Sequence, residues 1–220
     1  QYVCDITNAC GVHTENPFQI IVKSSPQIVG QPQDLEVCEG ESLDVTVSAT
    51  GDNLTYAWYR NNGDGYQFLG EGDVTNQGST YHAPTVAVAY GGSYYCVVRS
   101  GIECGTQYSD TVMVSVGTLP RITMQPRPAV MALCEGEEYG LGIRATGEGI
   151  HYQWYNNGVA LAGQTTDSLH IAAVTRDNDG VFYCIASNAC DEARTNNASL
   201  TVTNAPDMTL GPDLHPCRGE

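Results

Sequence analysis

A chain of 220 residues with 25 acidic against 9 basic side chains carries a formal charge of −16, which argues against nucleic acid or an anionic membrane surface as a partner and describes a solvated acidic exterior. No apolar run approaches the length of a membrane span, so no direct membrane insertion is expected. Nine cysteines fit an oxidising, extracellular setting, whereas zinc is disfavoured because no Cys-x2-Cys or His-x3-His spacing occurs.

The chain opens with "YVCDITNACG" (residues 2–11), a pattern that returns as "YYCVVRSGIECG" (94–105) and "FYCIASNACD" (182–191). Self-similarity divides the rest. "QPQDLEVCEGESLDVTVSATG" (31–51) matches "QPRPAVMALCEGEEYGLGIRATG" (125–147), and "LTYAWYRNNG" (54–63) matches "IHYQWYNNG" (150–158). Residues 1–25 therefore read as the closing strands of one repeat, 26–117 and 118–204 as complete repeats, and 205–220 as the start of another, around Cys217. Such a chain is expected to be a segment of a longer tandem array.

In each complete repeat the stretch after Cys-Glu-Gly-Glu alternates apolar and polar residues: Leu43, Val45 and Val47 in the first, Tyr139, Leu141 and Ile143 in the second. Period-two alternation predicts a strand with one face in a core. Leu54, Tyr56 and Trp58, and Ile150, Tyr152 and Trp154, predict the next strand. Each of these runs into Asn-Gly (Asn62-Gly63, Asn157-Gly158), a hairpin signal because both residues tolerate positive φ. Later strands are read from Leu169 and Ile171, from Tyr94, Cys96 and Val98 with Phe182, Cys184 and Ala186, and from Val112, Val114 and Val116 with Leu200 and Val202. Seven or eight short antiparallel strands per repeat predict an all-β fold of two tandem sandwiches, with partial repeats at both ends.

These runs, with "GGSYYC" and "DGVFYC", resemble an immunoglobulin-like domain of the intermediate kind. The resemblance implies that Trp58 and Trp154 are the core tryptophans of strand C and that Tyr94 and Tyr2 hold the tyrosine-corner position of strand F, where the second repeat has Phe182. It departs from the family at strand B: Val47 and Ile143 stand where the bridging cysteine belongs, so the usual inter-sheet disulfide cannot form. "VCEGE", "YQWYNNG" and "SNAC" resemble the repeats of very large bacterial surface adhesins, including those of gliding bacteria.

The resemblance places Cys38 and Cys134 at one end of a sandwich, just before strand B, and Cys10, Cys104 and Cys190 at the other, near the F–G hairpin tip. It thereby implies a staple between neighbouring repeats: Cys38 with Cys190, Cys10 and Cys104 with partners upstream, and Cys134 with one downstream. Cys217 repeats the Cys38 position. Cys4, Cys96 and Cys184 would then remain as buried thiols. Two alternatives stay open: hairpin bridges (Cys96–Cys104 and Cys184–Cys190), and other pairings or reduced cysteines.

The candidate sites are few. Trp58 and Trp154 are expected in the core, not as sugar-stacking platforms. Asp177, Asn178 and Asp179 carry oxygens of the kind calcium uses, but "AVAYGGSY" (87–94) has no carboxylate at the matching place, so an ordinary turn is expected. Asn53 and Asn197 open N-glycosylation sequons, and Thr111 and Ser168 sit in short motifs resembling bacterial O-glycosylation acceptors. No catalytic constellation and no cofactor motif is present, so an enzyme is not expected. The chain reads as a stalk or spacer of an extracellular, cell-surface adhesin or filament. Its partners would be neighbouring repeats and a protein or glycan on a target surface. The alternative is a binding module that recognises a glycan or protein through its end loops. A eukaryotic adhesion receptor would be expected to keep the strand-B cysteine.

Overall fold

The computed structural model describes residues 2–17, 19–101 and 105–204. The chain forms two compact units, residues 1–116 and 117–220. The first begins with a hairpin of β1 (Asp5–Asn8) and β2 (Gly11–Thr14), which turns through Ala9 and Cys10. Every residue of both strands is exposed, because two strands alone have no second layer to bury a face against.

The rest of the first unit is a two-sheet sandwich. Its strands are β3 (Gln27–Gly30), β4 (Leu35–Cys38), β5 (Leu43–Thr50), β6 (Leu54–Asn61), β7 (Tyr66–Gly70), β8 (Asp73–Thr75), β9 (Gly78–Ala83), β10 (Gly92–Ser100), β11 (Thr106–Tyr108) and β12 (Val112–Gly117). One sheet runs β3-β5-β9-β8, and the other β4-β12-β10-β6-β7 with β11 beside β10. Alternation along β5 buries Leu43, Val45, Val47 and Ala49, and the facing sheet contributes Trp58, Tyr94, Cys96, Val98, Val112 and Val114. Full burial of each such aliphatic side chain contributes about 1.5–3 kcal/mol.

The second unit repeats this plan with β13 (Arg121–Arg127), β14 (Val130–Cys134), β15 (Tyr139–Thr146), β16 (His151–Asn156), β17 (Val159–Ala160), β18 (Ser168–Ile171), β19 (Gly180–Ser187), β20 (Glu192–Arg194) and β21 (Ala198–Thr203). Its sheets are β13-β15-β18 and β14-β21-β19-β16-β17, with β20 beside β19. Tyr139, Leu141, Ile143, Trp154, Leu169, Phe182, Cys184, Leu200 and Val202 fill the core. The tandem immunoglobulin-like β-sandwich expected from the sequence is the fold that forms.

The structure differs from the sequence expectation in three places. The strands are not all antiparallel: β14 runs parallel to β21, because the first strand of the repeat is split and its second half crosses to the other sheet. The two Asn-Gly pairs do not make the same hairpin. Asn157 (φ 47°) and Gly158 (φ 82°) close the two-residue β16–β17 turn. In the first unit Asn61 pairs with Tyr66 across four residues, and Asn61 Oδ1 accepts from the N–H groups of Gly63 and Gly65 at 2.9 and 3.1 Å. Finally, Cys4 is exposed, because the β1–β2 hairpin carries no core around it. The start of a further repeat read at 205–220 lies outside the described residues.

Each F strand begins at a glycine for a steric reason. Gly92 and Gly180 have φ of 140° and 133°, and a Cβ there would collide with the Asn61 carbonyl or the Asn157 side chain.

Candidate functional site: the repeat ends and an aromatic face

The core residues come first, because they fix what the ends can do. Trp58 and Trp154 are fully buried with their indoles satisfied: Trp58 Nε1 donates to Ser79 Oγ at 3.0 Å and Trp154 Nε1 to the Thr166 carbonyl at 2.9 Å. Neither indole faces solvent as a sugar platform would. Cys96 and Cys184 are buried free thiols, and desolvation pushes them up to about 12 and about 11. They stay protonated and are poor nucleophiles at neutral pH. Being free, they do not form the hairpin bridges. Val47 and Ile143 lie in the core of the opposite sheet.

The Cys-Glu-Gly-Glu motif makes a closed turn at one end of each repeat. Glu41 Oε2 accepts from the Cys38 N–H at 2.8 Å, and Glu137 Oε2 from the Cys134 N–H at 2.6 Å. Gly40 and Gly136, at φ of 95° and 89°, donate to the carbonyls of Val86 and Val174, both at 2.8 Å. The second glutamate therefore holds the cysteine's own backbone, which explains a motif that carries no catalytic chemistry.

At the opposite end, a polar clasp holds the segment leading into the first strand. In the first unit the Ser24 N–H and hydroxyl both donate to Asp52 Oδ2 at 2.8 Å, and Ser100 Oγ lies 2.9 and 2.6 Å from the carbonyls of Ser24 and Asp52. The hydrogen bonds from Ser24 hold the Asp52 carboxyl below its ordinary value. In the second unit the Thr118 hydroxyl accepts from the Glu148 N–H at 2.9 Å, and Asn188 Nδ2 reaches the carbonyls of Thr118 and Glu148 at 2.7 and 2.9 Å. Asn188 Oδ1 also accepts from the N–H of Cys190 at 2.9 Å. The repeat alignment could have paired Ser24 with Thr118, but not shown that their partners converge on them.

Among the cysteines at these ends, Cys38 and Cys190 are disulfide-bonded. Cys10 and Cys134 are free. Cys104 and Cys217 lie outside the described residues.

Asp177, Asn178 and Asp179 do not converge on a cation. Asn178 Oδ1 caps Thr175 in a capping box, Asp179 Oδ2 accepts from the Val202 N–H at 2.8 Å, and no metal-ligating cluster occurs among the described residues. Asn53, Thr111, Ser168 and Asn197 are exposed. Asn53 sits in a turn at φ 51°, and Asn197 Oδ1 accepts from Arg194 at 2.7 Å.

A feature not anticipated is an aromatic face on the outside of β6, β7, β10 and β11. Tyr59 stacks on Tyr95 at 5.1 Å, Tyr66 meets Tyr95 edge-on at 4.8 Å, and Phe68 and Tyr108 flank the pair at 5.6 and 6.4 Å. Phe68 and Tyr108 are 60% and 63% exposed, far more than packing alone requires. Beside them lies a groove of about 400 Å³ whose lining includes Tyr59, Phe68, Glu71 and Arg99. On the matching face, the described residues of the second unit carry the stacked Tyr155–Tyr183 pair, with the Arg194 guanidinium 3.8 Å above the Tyr183 ring. The signal lay in period two: if Trp58 and Cys96 point inward, their neighbours Tyr59 and Tyr95 must point outward.

Comparison with known proteins places the fold. Residues 25–100 match the family model of the immunoglobulin domain. The human leucine-rich repeats and immunoglobulin-like domains protein 1 is 26% identical over 84% of this chain. The chain spans 15–19% of the length of the first curated relatives it matches. Among solved structures, an I-band fragment from titin superposes with a TM-score of 0.66 at 18% identity, covering 82% of this chain and 66% of that one. Sidekick-1 immunoglobulin domains 1–4 superpose at 0.64 and 22% identity, covering 92% and 57%.

Proposed function

We propose that the chain is a non-catalytic spacer segment of a long extracellular, multi-repeat adhesion protein, holding a binding region away from a cell surface. The observation that carries this reading is the path of the backbone. In the second repeat Arg121 pairs with Thr146 at one end, and Cys134 and the last residue of β21, Thr203, pair at the other. Each sandwich takes the chain in at one end and releases it at the other. Successive repeats would add length, about 35–45 Å each for strands of this size with their turns. Between β12 and β13 stand only Thr118, Leu119 and Pro120, and the proline limits the backbone freedom of that joint. The finer assignment to bacterial surface-adhesin repeats is supported by the "VCEGE" and "SNAC" motifs and by Val47 and Ile143 at the strand-B position where the bridging cysteine would stand. Neighbouring repeats of the same chain would be the first partners. Small-angle scattering on residues 26–117 and 26–204 tests the reading: the maximum dimension should grow by about one repeat length, and equal maximum dimensions would overturn it.

A second reading is favoured by the aromatic face. Five rings from four strands, with a carboxylate and a guanidinium beside them, form a surface on which a glycan or protein could dock from the side of the sandwich, where the sequence had pointed to the end loops. Paired Tyr66→Ser and Phe68→Ser substitutions would abolish target binding without lowering Tm if this face binds, and leave binding unchanged if the repeat is a spacer only.

A further inference from the structure

Two Asn-Gly steps occur in the chain, Asn62-Gly63 and Asn157-Gly158, and the fold treats their side chains in opposite ways. We propose that Asn62 is a site of spontaneous deamidation through a cyclic imide, a modification that accumulates with the age of the chain, and that Asn157 is protected from the same reaction.

A glycine after an asparagine leaves its own amide nitrogen open to approach and its backbone free to bend, which is what ring closure needs. Exposure does not separate the two sites, since Asn62 and Asn157 are both exposed. Their hydrogen bonds do. Asn157 Nδ2 donates to the Asp179 carbonyl, Asn157 Oδ1 accepts from the Val181 N–H, and the Asn157 N–H donates to the Val181 carbonyl, all at 2.9 Å. Gly180 packs so closely on that amide that a Cβ there would collide with it. The Asn157 side chain is thus tied to the start of β19, and its Cγ can reach the Gly158 nitrogen only after both side-chain bonds break.

The turn between β6 and β7 in the first unit takes the other course. There Asn61 is the residue that spends its side chain, accepting from the N–H groups of Gly63 and Gly65. Among the described residues, none holds the Asn62 amide by a hydrogen bond. Asn62, Gly63, Asp64 and Gly65 are all exposed, and no atom lies within 4 Å of where a Cβ on Gly63 or Gly65 would stand, so a ring has room to form. The attacking nitrogen is restrained by the bond from the Gly63 N–H to Asn61 Oδ1 at 2.9 Å, in an exposed turn where water can replace it.

In the reaction the Gly63 nitrogen, deprotonated by hydroxide, attacks Asn62 Cγ. A carbon–nitrogen bond forms, the bond from Cγ to Nδ2 breaks, and ammonia leaves after taking a proton from water. A second water opens the imide at either carbonyl, giving the ordinary or the β-linked acid. The balance is one water consumed and one ammonia released, with no oxidant or reductant. At neutral pH the product carries one new negative charge. That charge stands close to Asp64, in the turn that leads to Tyr66 of the aromatic face. The β-linked product also lengthens the backbone within the segment that Asn61 grips.

Incubation of the full chain at pH 8, native and in urea, followed by tryptic mapping by mass spectrometry, tests this. In the native chain the amide-to-acid mass change should build up at Asn62 in peptide 61–99. Asn157, in peptide 145–176, should convert about thirtyfold more slowly, the factor to which two hydrogen bonds of ordinary net strength correspond. In urea the two should convert at similar rates, because both are Asn-Gly. Native conversion of Asn157 as fast as that of Asn62 would overturn the inference, as would an Asn62 that stays intact in the native chain while reacting in urea. As a second measurement, Asn62→Asp should melt as the wild type does, and Asn157→Asp should melt lower because it loses the donor to the Asp179 carbonyl. Equal melting of the two variants would equally overturn it.

Discussion

Cys96 stands directly opposite Trp58 across β10 and β6, both wholly buried, in a sandwich whose other sheet offers Val47 where a second sulfur would be needed. The first core is therefore held by packing around an indole and a protonated thiol. Removing the indole should cost about 3–5 kcal/mol in Trp58→Ala. Removing its acceptor in Ser79→Ala should cost about 1–3 kcal/mol, because the buried N–H is orphaned. Thermal unfolding of both variants measures this, and a wild-type Tm for Trp58→Ala would refute the core assignment.

The same burial makes the core thiols report on folding. With iodoacetamide at pH 8, Cys4 and Cys10 should be modified quickly, and Cys96 and Cys184 only after unfolding. The pH dependence follows from the upward shifts. A thiol raised to about 12 or 11 in the folded state ionises first in the unfolded chain, so stability is intact below the ordinary thiol range and falls as pH rises from about 9 towards 12. Cys96→Ala with Cys184→Ala should flatten that alkaline decline in a pH series of urea midpoints.

Two tyrosine hydroxyls in the cores should behave oppositely. Tyr94 donates to the Tyr90 carbonyl at 2.6 Å, so Tyr94→Phe should lose about 1 kcal/mol. Tyr139, whose ring packs 5.3 Å from Phe182, has a buried hydroxyl with no hydrogen-bond partner, so Tyr139→Phe should be neutral or stabilising. Equal losses in the two variants would contradict the geometry.

Asp179 should matter to stability without mattering to calcium. Its carboxylate caps the Val202 N–H, so Asp179→Ala should lower stability by about 1.5–3 kcal/mol as a charged hydrogen bond is lost. The loss should be the same in excess calcium and in chelator. A loss seen only with calcium present would restore the metal reading.

At the first clasp, Ser24→Ala keeps the backbone N–H, the larger cause of the Asp52 shift, and removes the hydroxyl, so it should raise the Asp52 pKa only part of the way towards its ordinary value, followed by NMR titration of the carboxyl. The folded pKa is depressed, so the clasp's contribution is present above the ordinary carboxylate range and fades as pH falls through the folded value. An unchanged Asp52 titration would show that the Ser24 hydroxyl contributes nothing to holding it.

The sequence by itself determined the repeat, the two sandwiches and their cores. Alternation of Leu43, Val45 and Val47, the fixed step to Trp58, and Tyr94 with Cys96 are one-dimensional consequences of a pleated strand with one face in water. It also showed that Val47 and Ile143 deny Cys96 and Cys184 a partner. Only the tertiary structure decided what depends on where separate strands converge. Ser24, Asp52 and Ser100, far apart in the chain, meet as a clasp, and Tyr59, Tyr66, Phe68, Tyr95 and Tyr108 become a single face because antiparallel neighbours bring them side by side. The states of the end cysteines belong there too. Cys38 and Cys134 occupy matching turns with the same glutamate grip, yet one is bonded and the other free, because a disulfide requires a second sulfur within a few ångströms, and the sequence motif contains only the first.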